Sequence, residues 1–274
     1  MPTPAPRKKI RAQRIARSKA SRTAPTGGAS NVQAVRRRAR AVVRVMHRCY
    51  PQADCALEHR DPLQLLVATI LSAQCTDATV NKVTPVLFTR YPTVDKLATA
   101  EPADVEPIIR ATGFFRQKTR SIIATCKAIV DDFGSRVPDT MEGLLTLPGV
   151  ARKTANVVLG TAFGKNEGFV VDTHVGRLAH RLGLTWRSRD TKDAVKIEQD
   201  LCEVVPRSDW TFLGHALIWH GRRVCAARKP NCTECELKTL CPSAFMFDNG
   251  PQATGKKPSR TAGTAPALAK KRKR

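Results

Sequence analysis

The sequence predicts an all-α protein. Apolar residues recur at helical spacing in nearly every segment after residue 30, and no stretch alternates apolar and polar residues as a half-buried strand does. Capping residues, early prolines and closing glycines flank these segments, as they do at helix ends. Apolar residues make up 42% of 274 positions, which is enough for the core of one large domain or two compact ones.

Asp61 and Pro62 predict the first clear helix start, since aspartate is a good N-cap and proline is tolerated at the first helical position. The apolar run that follows ends at Ser72-Ala73-Gln74. Thr76 caps the next helix. A further helix begins near Arg116 and ends at Gly134.

Asp139-Thr140-Met141-Glu142 has the pattern of a capping box, with Asp139 as the cap of a short helix that reaches Thr146. Asp172 begins a later helix that Gly183 closes. Two more helices are predicted near 191–204 and 208–221.

The segment Leu147-Pro148-Gly149-Val150-Ala151-Arg152-Lys153-Thr154-Ala155 predicts a tight hairpin that opens a helix at about Ala151. Gly149 permits a sharp turn that other residues resist. The first amides of the helix have no partner within it, so they can bind a DNA phosphate without reading bases. An ordinary packing corner between two helices is an equal alternative.

Lys153 is a candidate nucleophile in the first turn of this helix. The helix N-terminus, partial burial and the neighbouring Arg152 would all disfavour its ammonium form. A neutral lysine can attack a carbon electrophile and form an imine. The alternative is a surface lysine that touches a phosphate.

Asp172 follows the apolar run Gly168-Phe169-Val170-Val171 and is predicted to cap its helix. A rigid carboxylate near C1′ of a sugar would stabilise positive charge as a base leaves, and it could help to deprotonate an attacking amine. Pairing of Asp172 with Lys153 is a hypothesis at this point.

Four of the nine cysteines form the pattern Cys225-x6-Cys232-x2-Cys235-x5-Cys241, which predicts a metal centre with four thiolate ligands. Zinc and a [4Fe–4S] cluster both accept such ligands, so the residues alone leave both open. The other five are scattered, and an odd total argues against a secreted disulfide framework.

The formal net charge of +24 predicts a polyanionic partner. Residues 1–22 and 249–274 each hold eight basic residues and no acidic one, as expected of disordered arms that hold nucleic acid without reading it. A role in solubility alone is the other interpretation. Lys229 and other basic residues near the cysteines could face a phosphate backbone.

The sequence has no apolar run long enough for a membrane span and no apolar core of a secretory signal. We therefore expect a cytoplasmic, nucleoid-associated protein. An organelle transit peptide in the Arg- and Ser-rich N-terminal arm stays open.

Together these motifs resemble the endonuclease III branch of the helix-hairpin-helix DNA glycosylases. The hairpin segment, Val171-Asp172-Thr173-His174, the cysteine spacing and Leu71-Ser72-Ala73-Gln74 carry the resemblance, which extends from about residue 33 to about residue 243. It implies a bifunctional glycosylase and apurinic/apyrimidinic lyase that removes oxidised pyrimidines from double-stranded DNA and nicks the strand by β-elimination. A monomer is the default expectation.

The resemblance implies two helical domains with the DNA cleft between them. It places a six-helix domain with the hairpin at 56–166, and an iron–sulfur domain at 31–55 together with 167–245. The basic arms at 1–30 and 246–274 lie outside both.

Lys153 falls on the family's Schiff-base nucleophile, Asp172 on its partner carboxylate, and the four cysteines on the ligands of a [4Fe–4S] cluster. Gln74 falls on the residue that fills the gap left by a flipped nucleotide, and Phe114 on the family's intercalating leucine. We also expect DNA contacts at the hairpin residues Gly149, Ala151 and Arg152, and at Lys229 beside the cysteines. Ala151 replaces a second glycine of the family, which predicts a weaker hold on the phosphate.

Three rival functions remain. The adenine-removing branch generally lacks the hairpin lysine and carries a further C-terminal domain, whereas only about 30 residues follow Cys241 here. A non-catalytic DNA-binding protein would not need Lys153 and Asp172. A zinc-bearing RNA-binding module would be colourless, and aromatic content of 5% offers little stacking surface for single strands.

Overall fold

A computed structural model describes residues 29–247, and within them it contains α-helices, two short 3-10 helices and no strand. The predicted all-α class is therefore confirmed. The helices are α1 (Ala29–Cys49), α2 (Pro62–Leu71), α3 (Asp77–Arg90), α4 (Val94–Ala98), α5 (Pro102–Ile109), α6 (Phe115–Phe133), α7 (Met141–Thr146), α8 (Arg152–Ala162), α9 (Thr173–Arg181), α10 (Ala194–Val204) and α11 (Trp210–Arg223), with 3-10 turns at Arg110–Thr112 and Arg207–Asp209.

Helices α2 to α8 surround a first hydrophobic core that runs from Leu57 to Leu159 and includes Val170. Helix α2 packs against α3, α6 and α8, and its Leu65, Leu66 and Leu71 are fully buried. Each such side chain contributes roughly 1.5–3 kcal/mol of transfer free energy. This core supports the hairpin between α7 and α8.

A second core joins the N-terminal helix to the C-terminal half of the chain. Helix α1 packs against α10 and α11, while α9 packs against α11. The chain crosses between the two cores at residues 169 and 170. Phe169 belongs to the second core and Val170 to the first. Gly160 of α8 faces the side chain of Thr211 on α11, where a Cβ would collide with the Thr211 hydroxyl. The two cores therefore meet closely at α8 and α11.

Several predicted helix ends are confirmed. Asp61 caps α2 by accepting a hydrogen bond from the Gln64 amide at 2.9 Å, and Thr76 caps α3. Gly134 follows α6 with a left-handed φ of +57°.

The predicted capping box is wrong by one residue. Thr140, not Asp139, caps α7, and it accepts a hydrogen bond from the Gly143 amide at 3.2 Å. Asp139 instead pairs with Lys165, which draws its side chain away from the helix. The segment 56–166 also divides into seven α-helices rather than six, because Thr93 caps the separate five-residue helix α4.

Between residues 29 and 247, no helix combines the length and the apolar character that crossing a membrane requires. The predicted basic arms at 1–30 and 246–274 lie outside the described residues except at their inner ends.

Candidate active site

The hairpin between α7 and α8 turns at Gly149, whose φ of +79° favours glycine. A Cβ at this position would lie 3.2 Å from the Ser121 Cβ and 3.3 Å from its Oγ. Ser121 lies on α6, and the hydroxyl of Thr125 on the same helix donates a hydrogen bond of 2.6 Å to the Pro148 carbonyl. Helix α6 therefore fixes the turn by steric contact and by a hydrogen bond.

The N-terminus of α8 is open to solvent. Its N-cap residue, Ala151, is exposed, and no side chain caps the first turn. The free amides at this end form a site that can bind an anion. Ala151 has an extended backbone, with φ −94° and ψ 166°, which any residue adopts. Alanine in place of glycine therefore causes no backbone strain, while a weaker hold on the phosphate stays a prediction.

Lys153 lies in the first turn of α8 and is exposed. The expectation of partial burial is therefore wrong, because this turn projects beyond the first core and burial begins only at Ala155. Lys153 therefore lies beside a helix N-terminus at which an anionic ligand can bind.

Arg152 is engaged with a glutamate rather than free. Its Nε lies 3.1 Å from both carboxylate oxygens of Glu198, and its Nη2 lies 3.0 Å from Oε1. Glu198 of α10 is buried and also accepts a hydrogen bond of 3.0 Å from the side-chain Nδ2 of Asn156. The hydrogen bonds to Glu198 raise the pKa of Arg152. This residue thus joins α8 to α10, and its predicted contact with DNA stays a prediction.

Asp172 caps α9, as predicted. Its Oδ1 accepts hydrogen bonds from the amides of His174 and Val175, both at 2.8 Å. No residue between 29 and 247 donates a hydrogen bond to its other oxygen. Asp172 is half-buried, so the carboxylate is held rigidly with one oxygen available for another group.

His174 lies beside this carboxylate. Arg177 donates a hydrogen bond of 3.2 Å from its Nη2 to the His174 Nδ1, because a guanidinium has donors only. Burial lowers the pKa of His174. Both effects favour a neutral ring with its proton on Nε2.

Gln74 and Phe114 lie on exposed loops with left-handed backbones. Their φ values are +53° and +48°, and only two other non-glycine residues in the described part of the chain have a positive φ. The Phe114 side chain is 68% exposed, which is unusual for a large apolar group. Strain of this kind costs about 1–3 kcal/mol and is concentrated at functional sites.

The four patterned cysteines line one small cavity together with Arg181. Among the described residues, however, no group of three or more His, Cys, Asp or Glu side chains converges closely enough to hold a single metal ion. The predicted centre with four thiolate ligands therefore stays a prediction. Burial raises the pKa of Cys235 and Cys241.

Two side chains contact these cysteines directly. Arg181 donates a hydrogen bond of 3.1 Å from its Nη1 to the Cys225 sulfur, and the His220 Nε2 lies 3.4 Å from the Cys235 sulfur. Four thiols around one cavity with a guanidinium beside them are a donor set that fits a thiolate-bound cluster. Lys229 is exposed in the loop between Cys225 and Cys232.

Two residues that the sequence motifs do not identify, Glu198 and Lys118, also contribute to this region. Lys118 lies on the same face of α6 as the buried Ile122, Thr125 and Ile129, and it is itself buried. A lysine within an apolar stripe is a signal that helical spacing could have revealed. Glu198 similarly falls beside the buried stripe of α10.

The comparisons with known proteins agree with this geometry. Residues 67–207 match the family described as HhH-GPD superfamily base excision DNA repair protein. Endonuclease III of Synechocystis sp. is 54% identical over 209 residues, which cover 76% of this chain and 94% of that protein. Endonuclease III of Bacillus subtilis is 43% identical over 194 residues, which cover 70% of this chain and 86% of that protein.

Solved structures are also similar. A trapped endonuclease III–DNA covalent intermediate matches with a TM-score of 0.70 and 39% identity, covering 76% of this chain and 96% of that one. A thermostable thymine-DNA glycosylase matches with a TM-score of 0.67 and 24% identity, which shows a shared fold. The match to the family spans more than half of the chain, and the relatives are covered almost completely. The chain therefore belongs to the HhH-GPD superfamily of base excision DNA repair proteins and, within it, to the endonuclease III family.

Proposed function

We propose that this protein is a bifunctional DNA glycosylase and apurinic/apyrimidinic lyase that removes oxidised pyrimidines from double-stranded DNA. Glycosylase and lyase activity in base excision repair is the activity of its family. The observation that carries the proposal is the exposed Lys153 at the open N-terminus of α8. An amine in this position can reach a sugar whose phosphate is bound by the hairpin amides.

Binding begins with charge. The basic surface attracts the duplex, and the free amides in the first turn of α8, after Ala151, hold a phosphate beside the lesion. Gln74 and Phe114 fill the gap that the flipped nucleotide leaves. Their exposed, left-handed loops support this role, because an exposed phenylalanine can replace the stacking that the duplex loses.

The chemical step uses the amine and the carboxylate. The Lys153 Nζ gives up a proton and attacks C1′, and the bond from C1′ to the base breaks with its electron pair leaving on the base. The available oxygen of Asp172 stabilises the positive charge on the sugar and helps to accept the proton. Ring opening gives a Schiff base. Loss of a proton from C2′ and departure of the 3′ oxygen then nick the strand.

We infer that the four cysteines hold a [4Fe–4S] cluster. Four thiolates could hold zinc or a [4Fe–4S] cluster, and membership of the endonuclease III family favours the cluster. Four cysteines that line one cavity beside the Arg181 guanidinium support this proposal. Cys225, Cys232, Cys235 and Cys241 would hold the cluster, which would anchor their loop structurally, and the exposed Lys229 of that loop could then contact a phosphate backbone.

We further propose that the protein acts as a monomer. Because its substrate is DNA, we propose that it is cytoplasmic and associated with the nucleoid.

Borohydride trapping tests the proposed function. The enzyme is mixed with a duplex that carries either thymine glycol or an abasic site, and the reduced Schiff base is detected as a covalent adduct. We expect an adduct on both substrates with wild type and none with Lys153→Ala, which should still bind the abasic duplex. Lys127→Ala is the control, because Lys127 is an exposed lysine on α6 away from the hairpin turn. Undiminished trapping by Lys153→Ala would refute the assignment.

A further inference from the structure

One lysine of α6 is buried without a carboxylate partner among the described residues. Lys118 is only 5% exposed, and its Nζ donates hydrogen bonds of 2.8 Å to the carbonyls of Leu71 and Thr112. Burial lowers the pKa of this amine. A lysine is rarely buried unless its donors are satisfied, and here the two carbonyls satisfy the ammonium group.

The two carbonyls belong to the loops that carry Gln74 and Phe114. Leu71 is the last residue of α2 and lies three positions before Gln74. Thr112 ends the 3-10 turn and lies two positions before Phe114. Carbonyls at helix ends lack partners within the helix, so one ammonium group can satisfy both ends at once. In doing so it joins the two loops to each other and to α6.

Both loops need such a restraint. Gln74 and Phe114 each have the left-handed backbone that non-glycine residues avoid, and this conformation persists only where the surroundings impose it. The backbone amide of Lys118 also donates a hydrogen bond of 3.0 Å to the Phe114 carbonyl. A single residue therefore holds one loop from both its backbone and its side chain.

The same helix sets the hairpin. Thr125 donates to the Pro148 carbonyl, and Ser121 lies against Gly149. Helix α6 thus contacts the hairpin and both gap-filling loops. Lys118 provides the part of this framework that reaches the two gap-filling loops.

We propose that Lys118 is a positioning residue that fixes Gln74 and Phe114 relative to each other, so that both enter the duplex as the target nucleotide flips out. The proposal rests on the proposed function of these two residues. Because Lys118 does not touch the reacting atoms, its loss should impair flipping and leave the attack of Lys153 intact.

The test compares two substrates. One carries an abasic site in a fully paired duplex, and the other carries the same site in a bubble of unpaired bases, where the nucleotide is already unstacked. We expect Lys118→Met to slow adduct formation by about tenfold on the paired duplex, as loss of a charge-assisted hydrogen bond would. On the bubble it should stay within about twofold of wild type. Lys127→Met, on the exposed face of α6, should match wild type on both.

A combined variant adds a readout that simple destabilisation would not give. In a Gln74→Ala, Phe114→Ala background the paired duplex is already processed slowly, and adding Lys118→Met should change the rate by no more than about twofold. Full additivity there would overturn the proposal, as would equal slowing on both substrates or a wild-type rate for Lys118→Met alone.

If Lys118→Met does not fold, Lys118→Arg replaces it. Arginine keeps the charge but changes the geometry toward the two carbonyls. A deficit confined to the paired duplex supports the proposal, and a shared or absent deficit overturns it. Wild type that forms no adduct on either substrate would refute the proposed function, and this inference with it.

Discussion

The Gly149→Ala substitution tests whether the hairpin turn positions the phosphate site. Gly149 has a φ of +79°, a region in which an L side chain is strained. The added Cβ would lie 3.2 Å from the Ser121 Cβ and 3.3 Å from its Oγ. Helix α6 cannot easily retreat, because Thr125 and Lys118 bond it to the surrounding loops.

The expected loss of stability has two parts. The left-handed conformation costs alanine about 1–2 kcal/mol relative to glycine. The contact with Ser121 requires a shift of a few tenths of an ångström, which adds to this cost. A total of about 2 kcal/mol corresponds to a fall of about 4–8 °C in Tm for a domain of this size.

DNA binding should weaken as well. Movement of the turn tilts the first amides of α8 away from the phosphate, and a hydrogen bond to a charged group contributes about 1.5–3 kcal/mol. We therefore expect Kd for a duplex with a stable abasic-site analogue to rise by at least about tenfold. Thermal unfolding and fluorescence anisotropy measure the two effects separately.

Gly134→Ala is the matched control. Gly134, directly after the C-terminus of α6, has a similar φ of +57°, and a Cβ added there would meet nothing within 4 Å. The variant should lose about 1–2 kcal/mol of stability, which the left-handed backbone costs alanine, and it should keep the wild-type affinity for DNA. If Gly149→Ala melts and binds DNA as Gly134→Ala does, the reasoning about the Ser121 contact and the hairpin amides is refuted.

Three further predictions concern the carboxylate, the ion pair and the cysteines. Asp172→Asn keeps a good helix cap, so Tm should change little while glycosylase rate falls by about 100-fold or more; a wild-type rate would contradict the role of the carboxylate. Arg152→Ala leaves the buried Glu198 with fewer donors and should lower stability by about 1 kcal/mol, since the arginine itself is half-exposed; unchanged thermal unfolding would count against the ion pair as a link between α8 and α10. Cys235→Ser should lower iron content and yellow-brown colour while Cys126→Ser keeps both, and metal analysis that finds zinc in the wild type would rule out the cluster.

The sequence predicted best what depends on neighbouring residues. The caps at Asp61, Thr76 and Asp172 bond to amides two or three positions away, so a local pattern contains all the information they need. The cap at Asp139 was wrong because a distant residue competes for it. Lys165 lies 26 positions away and takes that carboxylate, which leaves Thr140 to cap α7.

The site was predicted in part for the same reason. Lys153 stands out because motif and helix start coincide in one short segment. The ion pair of Arg152 with Glu198 and the bond from Lys118 to the Leu71 carbonyl span 46 and 47 positions. Helical spacing can indicate that Lys118 is buried, but only the packing of α6 against α2 determines which carbonyl it meets.

The two ends of the hairpin show what a glycine in a motif can mean. Gly149 and Ala151 are two residues apart, and the family usually has glycine at both. Their backbones differ: φ is +79° at Gly149 and −94° at Ala151. Glycine at the first position is therefore a requirement of the backbone. At the second position glycine can only provide space for a ligand, since the extended conformation of Ala151 accepts any side chain. We therefore predict that the replacement leaves the turn intact and affects only the approach of the phosphate that we propose binds here.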